Sequence, residues 1–139
     1  MSNFALKRIK AVKGQIKFAE LFIDDIGQLT SFQEALGNKD QADLDSIFYY
    51  MERVSNSEIL PHKQFKKVKI NKNTEVYCFK KGVLRVYAIK GDDGKIIVLG
   101  GFKNTQDEDY NLLGKLIPQF KEQRIKIKED ENKNRVIEK

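Results

Sequence analysis

The chain has 139 residues, one cysteine, no tryptophan, 33% charged residues and a net charge of +6. That length suits one domain with a single core. No apolar run approaches the roughly 18 residues of a membrane span, and the basic N-terminus lacks the apolar centre of a signal peptide. A single Cys78 excludes an internal disulfide and suits a reducing cytoplasm.

Charge is segregated along the chain. Residues 1–19 carry five basic side chains and no acid, and residues 20–60 carry nine acids against two bases. Residues 61–104 then carry eleven bases against three acids, a balance of +8. Such a block suits a sheet that meets a polyanion, or a set of strand edges that lysine keeps from pairing with other chains.

In chain order, Gln15 to Ile23 reads as a first strand, with a helical pattern also open. Ser31 to Leu36 reads as a short helix stopped by Gly37-Asn38. Asp40 to Val54 is the clearest helix, with Leu44, Ile47, Phe48 and Met51 at i, i+3, i+4 and i+7 and Asp40 as N-cap. After Pro61 the period drops to two. Phe65 to Ile70, Glu75 to Phe79, Val83 to Lys90 and Lys95 to Phe102 read as four strands. The turns between them are short enough to force antiparallel neighbours. Ile96-Ile97-Val98-Leu99 does not alternate, so its strand is expected to be central and covered on both faces. Thr105-Gln106-Asp107-Glu108 reads as a capping box for a closing helix, with a kink or break expected at Pro118. The expected fold is α+β: N-terminal helices packed on one face of a four-stranded, or five-stranded, antiparallel sheet, followed by a C-terminal helix. One domain is expected over 1–123, with a charged tail over 124–139.

Strand alternation places Val83, Arg85, Tyr87 and Ile89 on one face and Leu84, Val86, Ala88 and Lys90 on the other. Arg85 therefore sits among apolar neighbours and needs a partner. Either Glu75 on the adjacent strand or a ligand phosphate answers that need, and an arginine fork suits phosphate. Lys103 ends the central strand, and Tyr110 lies one turn into the closing helix. His62, the only histidine, sits in a basic loop. No cluster of His or Cys points to a metal, and no P-loop or Rossmann glycine motif is present. The pair Gly100-Gly101 is too short to cradle phosphate alone.

Leu84-Arg85-Val86-Tyr87 and Gly101-Phe102-Lys103-Asn104-Thr105, in that order and spacing, resemble the C-terminal half of RelE/ParE toxins of type II toxin–antitoxin systems. The resemblance is closest to the HigB-like, phage-derived branch and spans about Phe65 to Phe120. It implies a cytoplasmic toxin of RelE-like fold that cuts mRNA on the ribosome without metal or cofactor and is held by an acidic segment of a cognate antitoxin. Arg85, Lys103 and Tyr110 then match the catalytic positions, with Lys67, Lys80, Lys81, Lys90 and His62 as candidate RNA contacts. Two departures matter: Asn104 replaces the second lysine of the usual pair, and Val76 and Cys78 stand where the RelE branch keeps lysines. They keep two alternatives open, a gyrase inhibitor of ParE type and an inactive domain that binds nucleic acid.

Overall fold

The computed structural model describes residues 3–92, 94–123 and 127–128. Most of the expected 124–139 tail lies outside them. A strand missing from the sequence reading comes first. β1 (Phe4–Arg8) pairs antiparallel with β2 (Lys17–Ile23), setting Leu6 opposite Leu21 in the core. The basic residues around Leu6 hide the alternation that would have marked β1 as a strand.

Asp24 and Asp25 both take positive φ and turn the chain into β3 (Ile26–Gly27), which pairs back on β2. The helix α1 (Gln28–Glu34) follows at once. Its N-cap, Gly27, has no side chain to offer, so Glu20 of β2 does the capping from a neighbouring strand. Its carboxylate accepts the Thr30 N–H at 2.6 Å and the Thr30 hydroxyl at 3.0 Å. A Cβ at Gly27 would run into that carboxylate, which explains the glycine.

α2 (Asn38–Ser55) buries Leu44, Ile47, Met51 and Val54, as its periodicity predicts. It starts two residues before Asp40, with Gly37 at the N-cap position, and Asp40 lies in its first turn. The meander then runs β4 (Phe65–Asn71), β5 (Thr74–Lys81), β6 (Leu84–Lys90) and β7 (Gly94–Phe102), each antiparallel to the last. A 3-10 turn, Lys103–Thr105, leads into α3 (Gln106–Gln123), and β8 (Ile127–Lys128) lies parallel to β1.

The fold is α+β, and the sheet is wider than expected and mixed. Its order is β4-β5-β6-β7-β2-β1-β8, with β7 and β2 parallel. β7 is central, as its unbroken apolar run implies: Ile97 joins the core under α1 and α2, while Ile96 and Val98 join the core under α3. The helices thus divide between two faces, α1 and α2 on one and α3 on the other, where a single helical face was expected. Gly100 and Gly101 serve these two packings, because a Cβ at Gly100 would strike the Phe32 ring and one at Gly101 the Asp109 carboxylate.

The start and middle of α3 also differ from expectation. Thr105 is the last residue of the 3-10 turn, and its hydroxyl accepts the Phe102 N–H at 3.2 Å and lies 3.0 Å from Asp109 Oδ2, so it closes the turn rather than capping Glu108. The helix runs on through Pro118 to Gln123. Leu113, Ile117 and Phe120 bury its inner face on both sides of the proline, and that packing carries it across the lost hydrogen bond. No helix among the described residues is long and apolar enough to cross a membrane.

A candidate phosphate-binding cleft

The β5–β6 ladder sets Lys80 opposite Arg85 and Cys78 opposite Tyr87, and the β4–β5 ladder sets Lys66 opposite Cys78. Side chains paired across a ladder share a face. Lys66, Cys78, Lys80, Arg85 and Tyr87 therefore stand on the face that α3 covers. Gln106 and Tyr110, from the first two turns of α3, close over them. A cleft of about 250 Å³ forms there, lined by Lys66, Lys67, Lys69 and Lys80 together with Cys78, Gln106 and Tyr110.

Arg85 lies beside Lys80 in the ladder, outside the lining of this cleft, and is only 9% exposed. Its guanidinium meets no carboxylate among the described residues. Nη1 donates to the carbonyls of Gly82 at 2.9 Å and Leu84 at 2.8 Å, and Nε is buried with no partner. Glu75, the expected structural partner, stands opposite Lys69 in the ladder, further along the sheet. Part of the arginine thus holds the β5–β6 turn, where Gly82 takes φ +57°, and part is left unanswered.

Tyr87 is fully buried, and its hydroxyl also lacks a partner. Its ring meets that of Tyr110 edge to face at 5.9 Å between centroids. The Tyr110 hydroxyl accepts a hydrogen bond from Gln106 Nε2 at 2.8 Å. Burial pushes the Cys78 thiol up to about 11, against the opposing pull of Arg85 and Lys80. Burial is likewise the main cause that raises both Tyr87 and Tyr110 above the usual phenol. At neutral pH all three are protonated, so the cleft offers cations and hydroxyl donors. Asp109 on α3 is itself raised, first by burial, while its bond to the Thr105 hydroxyl works the other way.

Of the residues singled out in the sequence, Lys67, Lys80 and Tyr110 line the cleft, and Arg85 lies beside Lys80 outside the lining. Lys103 is exposed in the 3-10 turn, outside the lining. His62 and Lys81 are exposed and outside it too, and Lys90 lines a neighbouring hollow. Sequence reading missed Lys66, Lys69, Gln106 and the orphaned hydroxyl of Tyr87. Tyr87 was reachable, since it shares Arg85's face by simple alternation. The contribution of Gln106 depends on how α3 crosses the sheet, which no local pattern encodes. Among the described residues no group of three His, Cys, Asp or Glu side chains gathers to hold a metal. No protein-family model, curated protein or solved structure matches the chain.

Proposed function

We propose that the cleft receives a phosphodiester of RNA and that the chain is a RelE/ParE-type toxin, a metal-independent nuclease that cuts mRNA on the ribosome. The observation that carries this reading is Arg85: a buried guanidinium with an unpartnered Nε and no carboxylate among the described residues, next to a cleft lined by four lysines, of which Lys66 and Lys80 share its face. An uncompensated buried charge is costly, and a bound phosphate would offset that cost.

In the proposed reaction the RNA 2′-hydroxyl attacks its own 3′ phosphorus. The O–P bond to the 2′ oxygen forms as the bond to the 5′ oxygen breaks; the 2′-hydroxyl proton passes to solvent water and the 5′ oxygen gains a proton, giving a cyclic phosphate. Arg85 and Lys80 would stabilise the charge that grows on the phosphorane oxygens. Tyr110, protonated and at the rim, would donate to the leaving oxygen. Lys103, outside the cleft lining, would contact the RNA backbone away from the reacting phosphate. An acidic antitoxin segment would find its complement in the same lysines.

One observation favours a second reading. Cys78, Tyr87 and Tyr110 are all held protonated, so none of them is a ready general base. A non-catalytic member that blocks DNA gyrase would need only the binding surface. Induction of the parent chain, followed by primer extension on cellular mRNA, separates the two: codon-phased cuts indicate the nuclease, and intact transcripts with a DNA-damage response indicate the inhibitor. Arg85→Ala, expressed equally and folded by circular dichroism, is expected to abolish both cuts and growth arrest. Growth arrest persisting in that variant would overturn the proposal.

A further inference from the structure

Beside the Arg85 cleft lies a second hollow of about 530 Å³, to which Lys67 and Lys69 of β4, Lys72 of the β4–β5 turn, Lys90 at the end of β6 and Lys121 near the end of α3 all contribute. Among the described residues, Glu75 is the one acid in its wall. Lys67 and Lys69 line both hollows, so the two meet at β4. Edge protection accounts for lysines on β4, which is the outermost strand. It does not account for Lys90 and Lys121, which come from an inner strand and from a helix and converge on the same concavity. Lys95, register partner of Lys90, adds to the charge. Its ammonium lies over the Tyr77 ring at 4.7 Å and is held below its usual pKa by burial and then by Lys90.

We infer that this second hollow is a contact for single-stranded nucleic acid, and that a strand held at Arg85 continues along β4 to Lys72, Lys90 and Lys121. The inference rests on the reading of the Arg85 cleft as a phosphodiester site and adds the path the rest of the strand takes. β4 has seven residues, about 23 Å at roughly 3.3 Å each, enough for several nucleotides. Lysines are point charges without the fork of arginine, and they suit phosphates whose bases vary. An acidic peptide is the competing occupant. Paired as an added strand on β4, it would lie in the plane of the sheet, whereas Lys121 reaches the hollow from a helix packed on one face.

The test is fluorescence anisotropy with a fluorescein-labelled 2′-O-methyl RNA of about twelve nucleotides, which cannot be cleaved, and with a dinucleotide of the same chemistry. The double variant Lys72→Gln/Lys121→Gln is expected to bind the longer RNA about tenfold more weakly at low salt, with a salt slope shallower by about 1.4. Its binding to the dinucleotide should be unchanged. A control pair of exposed lysines outside both hollows, Lys13→Gln/Lys39→Gln, should bind both RNAs like the parent. Equal losses in the two pairs would reduce the effect to net charge and overturn the inference. So would a double variant that binds RNA normally but loses an acidic peptide of similar length. Failure of the Arg85 reading registers separately, as growth arrest that survives Arg85→Ala.

Discussion

On one face of β6, Leu84, Val86 and Ala88 close against α2 and its neighbours in an apolar core. On the other, the intervening Arg85 and Tyr87 are as deeply set, yet each keeps a polar atom with no partner. The same seven residues thus build a finished interior on one side and an unfinished one on the other. Buried polar groups are normally satisfied, and each orphan costs about 1–3 kcal/mol. Two orphans two residues apart, beside a lysine-lined opening, mark the face where the fold gives up stability. A phosphate is the ligand chemistry that would answer the guanidinium.

If the contrast holds, truncations on the two faces should differ even in sign. Phe79, fully buried and ring-packed on Phe18 and Phe65, belongs to the finished side. Phe79→Ala is expected to cost about 3–5 kcal/mol in urea unfolding. A cost below about 1 kcal/mol would show that this core is loose too.

A smaller effect tests the other face through pH. Cys78 shares it with Arg85, and burial lifts its thiol from an ordinary 9.0 to about 11. The folded value lies above the unfolded one, so the protonated thiol adds stability that is whole below pH 9 and is lost as pH rises towards 11. The loss amounts to about 3 kcal/mol. Cys78→Ala should therefore decline less than the parent over that window, in denaturant midpoints at stepped pH. Parallel declines would mean the thiol is better solvated than its burial implies.

The smallest effect has the opposite sign. Tyr87→Phe removes a buried hydroxyl that has no partner, so stability should stay level or rise by up to about 1 kcal/mol. A loss of more than about 1 kcal/mol would show that the hydroxyl is satisfied after all and would blur the contrast.

Much of this was legible in the sequence because its signals are local. Leu44, Ile47 and Met51 declare α2 by spacing alone, and the short turns after Pro61 declare the antiparallel meander. Alternation along 83–90 alone separates the two faces of β6. What stayed hidden depends on distant partners. β1 is recognisable only through β2, and the cap on α1 comes from Glu20, eight residues before the helix begins. The fate of Arg85 belongs to this second group. Its place on the adjacent strand makes Glu75 the expected partner, but the ladder register places Glu75 opposite Lys69 and Lys80 opposite the arginine. At the candidate site, sequence alone supplied Arg85, Lys67, Lys80 and Tyr110, while packing brought in Lys66 and Gln106 and left Lys103 outside.

In the proposed function the buried Nε–H of Arg85 is the donor that an RNA phosphate reaches and satisfies. Nitrogen-15 NMR of the arginine side chains, with Arg85 assigned by the Arg85→Lys spectrum, tests it directly. On titration with a short 2′-O-methyl RNA, the Arg85 Nε–H resonance should shift and saturate, and added salt should reverse the change. An Arg85 signal that stays fixed while backbone amides around the lysines move would mean the RNA binds the surface and leaves the guanidinium untouched, and the proposed chemistry would have no centre.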